Sequence, residues 1–80
     1  MQNQNLNLFK PRRVAAKIHY SMISQFMFVW IKYSRPCDLK VQRSQQNPEL
    51  LGICFEVANN DTIDMMCDLK NSLKIEILDL

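Results

Sequence analysis

Between Leu50 and Leu80 the hydrophobic pattern changes period twice. Ile53, Phe55 and Val57 alternate with Cys54, Glu56 and Ala58, the two-residue period of a strand with one face buried. Asn59, Asn60, Asp61 and Thr62 follow, and their short polar side chains suit the free N–H groups of a first helical turn. Ile63, Met66, Leu69 and Leu73 then fall at helical spacing, with Asp61, Asp64, Asp68 and Asn71 on the other side. Ile75 and Ile77 return to a period of two. The segment therefore predicts strand, helix, strand.

The first half of the chain repeats this scheme. From Arg13 to Tyr20, Val14, Ala16, Ile18 and Tyr20 alternate with Arg13, Ala15, Lys17 and His19. Met22, Ile23, Phe26, Met27, Trp30 and Tyr33 form a helical stripe within Ser21–Ser34, with Ser21 as its capping residue. The run from Phe26 to Tyr33 is also rich in aromatic and β-branched residues and fits a buried strand; its length favours the helix. Pro36 disfavours helical geometry at Arg35 and stops the helix there. Cys37, Leu39 and Val41 then alternate with Asp38, Lys40 and Gln42, and the polar turn 44–49 around Asn47-Pro48 leads back to Leu50.

The predicted order is strand, helix, strand, strand, helix, strand. It specifies an α+β, ferredoxin-like βαββαβ domain: an antiparallel sheet with two helices on one face. With the usual strand order 4-1-3-2, the first and third strands are central. Their uncovered face then carries Arg13, Ala15, Lys17, His19, Cys54, Glu56 and Ala58. Residues 1–12, rich in Asn and Gln, are expected to form a disordered tail, and 13–80 a single domain.

Charge adds an asymmetry that the pattern does not show. The net charge is only +2, but Met1–Ser44 holds eight basic residues against Asp38 alone, a net +7. Gln45–Leu80 holds seven acids against Lys70 and Lys74, a net −5. Such a dipole steers an anionic partner or a second copy; the plainer reading is that the two halves neutralise each other where they touch. Three cysteines with no CxxC pair argue against a disulfide framework or a zinc ribbon. The start MQNQNLNLF has no basic segment followed by an apolar core, so a cytoplasmic location is expected. The apolar run 18–31 is interrupted by His19, Ser21, Ser24 and Gln25 and falls short of the about twenty residues a span requires, so no membrane partner is expected.

The chemistry is sparse. A single glycine, Gly52, excludes glycine-rich phosphate loops. One histidine and scattered cysteines leave no metal-ligand spacing, and neither metal nor cofactor is expected. His19 and Cys54 share the uncovered face and form the one candidate nucleophilic pair if they approach each other, although Cys54 as a small filler beneath a partner is the simpler reading. RNA-recognition modules of this fold need aromatics on that face; here Tyr20 and Phe55 fall on the covered side by alternation.

Gly52-Ile53-Cys54-Phe55-Glu56-Val57, the Asp61–Leu73 helix and Lys74-Ile75-Glu76-Ile77-Leu78 resemble small ferredoxin-like regulatory domains of the ACT and NIL type. The likeness spans 13–80 and rests on hydrophobic pattern. It implies effector binding at helix or subunit interfaces, often in dimers. The near-absence of glycine departs from those families, and no ligand residue is carried over. The expected function is a small non-enzymatic regulatory module that contacts a protein partner, a second copy or a small effector. The alternative is a weak nucleic-acid binder using Arg12, Arg13, Lys17, Lys40 and Arg43.

Overall fold

Arg12–His19 form the first strand, β1, whose residues Val14, Ala16 and Ile18 are buried while Arg13 and Lys17 are exposed. The computed structural model describes residues 10–80. Most of the expected tail lies outside the described residues; of its last three residues, Arg12 already belongs to β1. Tyr20–Met22 form a single 3-10 turn, and Ile23–Lys32 the helix α1. β2 is Lys40–Arg43, β3 is Leu50–Val57, α2 is Asn60–Ser72 and β4 is Glu76–Asp79. The sheet runs β2-β3-β1-β4 with every neighbouring pair antiparallel. This is the ferredoxin-like order expected, with β1 and β3 central.

The core forms between one sheet face and the two helices. Val14, Ala16 and Ile18 of β1 and Ile53, Phe55 and Val57 of β3 meet Phe26 and Val29 of α1 and Met65, Met66 and Leu69 of α2. Phe26 and Phe55 are both essentially inaccessible and pack edge to face, with centroids 6.3 Å apart. That contact locks α1 to β3 and resolves the ambiguous segment as helix. The stripe expected on α1 is there, with Val29 as an additional buried member.

Both helix starts are built locally. In α2, Asn59 Oδ1 accepts from the Thr62 N–H at 3.0 Å, and Thr62 Oγ1 accepts from the N–H groups of Ala58 and Asn59. This is a capping box, and it explains why Thr62, polar, is fully buried. At the other start, Ser21 is not the cap. His19 Nδ1 accepts from the Ser21 N–H at 3.2 Å and caps the 3-10 turn, and α1 itself has no side-chain cap. Tyr20 also departs from its expected place: it sits in the turn, 52% exposed and stacked on His19, because the strand ends one residue earlier.

The chain between α1 and β2 differs most from its pattern. A strand was expected from Cys37, yet only Lys40–Arg43 pair with β3. Ser34 and Arg35 take left-handed conformations (φ 66° and 51°), and the Arg35 N–H returns to the Trp30 carbonyl at 2.9 Å. The Trp30 indole donates to the Cys37 carbonyl at 2.8 Å, so that backbone group is held by the helix. Val41 lies in register with buried Ile53 but is 51% exposed, so the edge strand projects beyond the helix layer. After α2, Lys74 is left-handed (φ 56°), and the Ile75 N–H bonds the Leu69 carbonyl, turning the chain into β4.

Candidate functional site

The register sets out the uncovered face in rows, because residues opposite each other point the same way. One row crosses all four strands: Lys40, Cys54, Ala15 and Leu78. The next is Gln42, Gly52, Lys17 and Glu76. On the other side, Glu56 faces Arg13, whose carbonyl accepts from the Leu80 N–H. The centre of the face is thus small, with Ala15, Gly52 and Cys54 each partly buried, and charges of both signs surround it. Space does not require glycine at Gly52: a Cβ there would stand 4.0 Å from the Gln42 carbonyl oxygen, and its φ is not positive.

The five basic residues read from the sequence do not form one patch. Arg13, Lys17 and Lys40 share the uncovered face. Arg12 is in register with Val57 on the helix side, where its guanidinium meets Met66 Sδ at 3.9 Å and Asp79 at 3.5 Å. Arg43 pairs with Leu51, also in a covered-side row. No Phe, Tyr or Trp of β1 or β3 stands on the uncovered face, so bases find no stacking platform there. The candidate pair of His19 and Cys54 also separates. His19 lies opposite Leu50 and Cys54 opposite Ala15, which puts them about 13 Å apart along the strands. His19 instead bonds Ser21 Oγ at 2.8 Å and faces Glu49 at 3.7 Å.

The charge asymmetry is neutralised only in part, at Arg12 and Lys32 of the basic half. Each ion pair among the described residues joins the basic half to the acidic half: Arg12 to Asp79, His19 to Glu49 and Lys32 to Asp68. Asp68 is the most elaborate. It accepts from Ser72 Oγ at 2.6 Å, Lys32 Nζ at 3.0 Å and Tyr33 Oη at 3.1 Å. The Ser72 hydroxyl and then the Lys32 ammonium hold its carboxyl below the ordinary range, and the same contact raises Lys32.

A groove of about 460 Å³ opens where the uncovered face meets the α1–β2 connection. Arg13, Arg35, Asp38, Lys40 and Glu56 supply its charges, the thiols Cys37 and Cys54 lie in its wall, and Ala58 and Thr62 mark the start of α2. Burial, then the nearby Asp38 carboxylate, pushes the Cys37 thiol up to about 11. Cys37 is therefore a thiol, not a thiolate nucleophile, near neutrality. Among the described residues no cluster of three or more His, Cys, Asp or Glu can hold a metal ion, and no helix is long and apolar enough to cross a membrane. The sequence did not single out this groove. Pro36 signals the chain reversal beside it, but nothing in the pattern signals that Arg35 turns left-handed and joins Arg13 and Lys40.

No protein-family model matches the chain, and no curated protein matches it. A solved structure described as "Crystal structure of a conserved protein from Methanosarcina mazei Go1" is similar over 96% of each chain, with 18% identity and a TM-score of 0.48. Agreement at that level bears on neither the site nor its use.

Proposed function

We propose that this chain is a small binding module that works through the uncovered face of its sheet, and that a second copy of the chain occupies that face. The observation that carries this reading is the row Lys40, Cys54, Ala15 and Leu78, which leaves a small, partly apolar centre bounded by Arg13 and Lys17 on one side of the charge balance and Glu56 and Glu76 on the other. A face of one sign would repel its copy, whereas a mixed face turned by a two-fold axis meets its own opposite charges. Small central residues suit the about 10 Å spacing of stacked sheets. The resemblance to ACT and NIL domains, which often act as dimers, points the same way.

The size of the face sets the strength. Four strands spaced about 4.8 Å apart, with a central length of eight residues rising about 3.3 Å each, span about 500 Å². Stable interfaces bury about 800 Å² per partner, so the dimer is weak and concentration-dependent. Sedimentation velocity over a wide concentration range tests this. The wild type is expected to pass from monomer to dimer, while Ala15→Arg and Leu78→Glu stay monomeric with unchanged circular dichroism. A wild type that stays monomeric throughout, or an Ala15→Arg variant that still dimerises, refutes the reading.

Nucleic-acid contact through Arg13, Lys17 and Lys40 is the competing reading. The acids Glu56 and Glu76 opposite two of these residues weigh against it. Oligonucleotide binding that weakens steeply with salt would favour it over self-association.

A further inference from the structure

Among the described residues the three cations of the groove make no close ion pair, although Glu56 stands opposite Arg13 in the register. Arg13, Arg35 and Lys40 form no ion pair within 4.0 Å of any described residue, and residues 1–9 contain no Asp or Glu. Asp38 and Glu56 share the lining yet stay outside that distance. The three cations come from three different elements: β1, the left-handed turn after α1, and the edge strand β2. Arg35 reaches this position through a backbone conformation that a non-glycine residue adopts at a cost. The groove also abuts Ala58 and Thr62 at the start of the 13-residue helix α2, where Asn59 already holds the Thr62 N–H and Asp61 lies in the first turn. At about 460 Å³ it lies in the size range of small-molecule sites.

We infer that this groove binds a small molecule through an anionic head, a phosphate or a carboxylate, held by Arg13, Arg35 and Lys40. The guanidinium of Arg35 grips the head in two places, and Lys40 and Arg13 neutralise it. Glu56 and Asp38 in the same lining oppose binding and limit affinity. The groove opens onto the same sheet face as the proposed dimer contact, but the inference does not rest on dimerisation.

Inorganic phosphate and succinate, each titrated at constant ionic strength set with chloride, are the probes. The readout is the amide spectrum of 15N-labelled protein, followed at Asp38, Lys40, Ala58 and Thr62. Saturable shifts confined to these amides are expected with one probe or both, and the probe that saturates identifies the head group. Arg35→Gln and Lys40→Gln, both at exposed positions that leave the core intact, are expected to weaken binding about tenfold. Glu56→Gln is expected to tighten it about threefold, a gain that a purely structural role does not produce. Lys70→Gln, at the far end of α2, is expected to change nothing. The same titration in Leu78→Glu separates this site from self-association, because that residue lies on the opposite edge strand. Shifts spread evenly over the surface, or binding unchanged in Arg35→Gln and Lys40→Gln, overturn the inference.

Discussion

Phe26 and Phe28 are two residues apart and separate a helix from a strand at Phe26–Tyr33. In a strand they would share a face, and truncating either would cost about the same. In α1 they lie about 200° apart around the axis. Phe26 is fully buried against Phe55, and Phe28 is 70% exposed. Phe26→Ala removes a buried ring, its cavity and its edge-to-face partner, and is expected to cost about 3–5 kcal/mol. Phe28→Ala is expected to fall within about 0.5 kcal/mol of wild type, as for surface positions. An 80-residue domain has only about 4–12 kcal/mol in total, so Phe26→Ala approaches global unfolding. Phe26→Leu, at about 1–2 kcal/mol, keeps the comparison measurable. Urea denaturation followed by Trp30 fluorescence and by far-ultraviolet circular dichroism gives both values. Equal costs at Phe26 and Phe28, or a larger cost at Phe28, would refute the packing of α1 on the sheet.

Four further outcomes follow from particular contacts. Thr62→Val removes the acceptor for the Ala58 and Asn59 N–H groups and is expected to cost about 1–3 kcal/mol in urea denaturation, with Asn59→Ala costing about 1 kcal/mol. Gly52→Ala is expected to raise thermal stability, by about 0.5–1 kcal/mol, since a strand glycine loses more freedom on folding and its neighbours leave room. Asp68 is held low by Ser72 and Lys32, so its contribution is present above the unfolded carboxylate value and lost as pH falls through the lower folded value. The stability gap between wild type and Asp68→Asn should therefore hold from neutrality to about pH 5 and close below about pH 4. Maleimide labelling at pH 7.5 should modify exposed Cys67 well before Cys37, whose thiol is raised by burial; faster labelling of Cys37 would contradict that environment.

The topology was legible because each half of the chain carries its own period. Val14, Ala16 and Ile18, then Ile53, Phe55 and Val57, alternate without interruption, and burial follows them residue by residue. Those two strands are central, so both neighbours enforce the same register. Edge elements were less legible. The alternation from Cys37 to Arg43 continues past the point where pairing begins, because Trp30 claims the Cys37 carbonyl and the left-handed pair Ser34–Arg35 redirects the chain. The covered face of β2 also reads as buried at Val41, whereas the helix layer stops short of it. His19 and Cys54 shared a face on paper, but only the register showed them four residues apart. The basic residues were visible as a set, while their division between two faces, and the recruitment of Arg35, depend on backbone turns that hydrophobic pattern does not encode.

The uncovered sheet face is tested most directly by recording the amide spectrum of 15N-labelled wild type over a dilution series. Shifts that move with concentration are expected at Ala15, Lys17, Gly52 and Cys54 and to vanish in Ala15→Arg. Concentration-dependent shifts centred on Phe28 and Ile31 of α1, or a spectrum that does not change on dilution, would contradict the account.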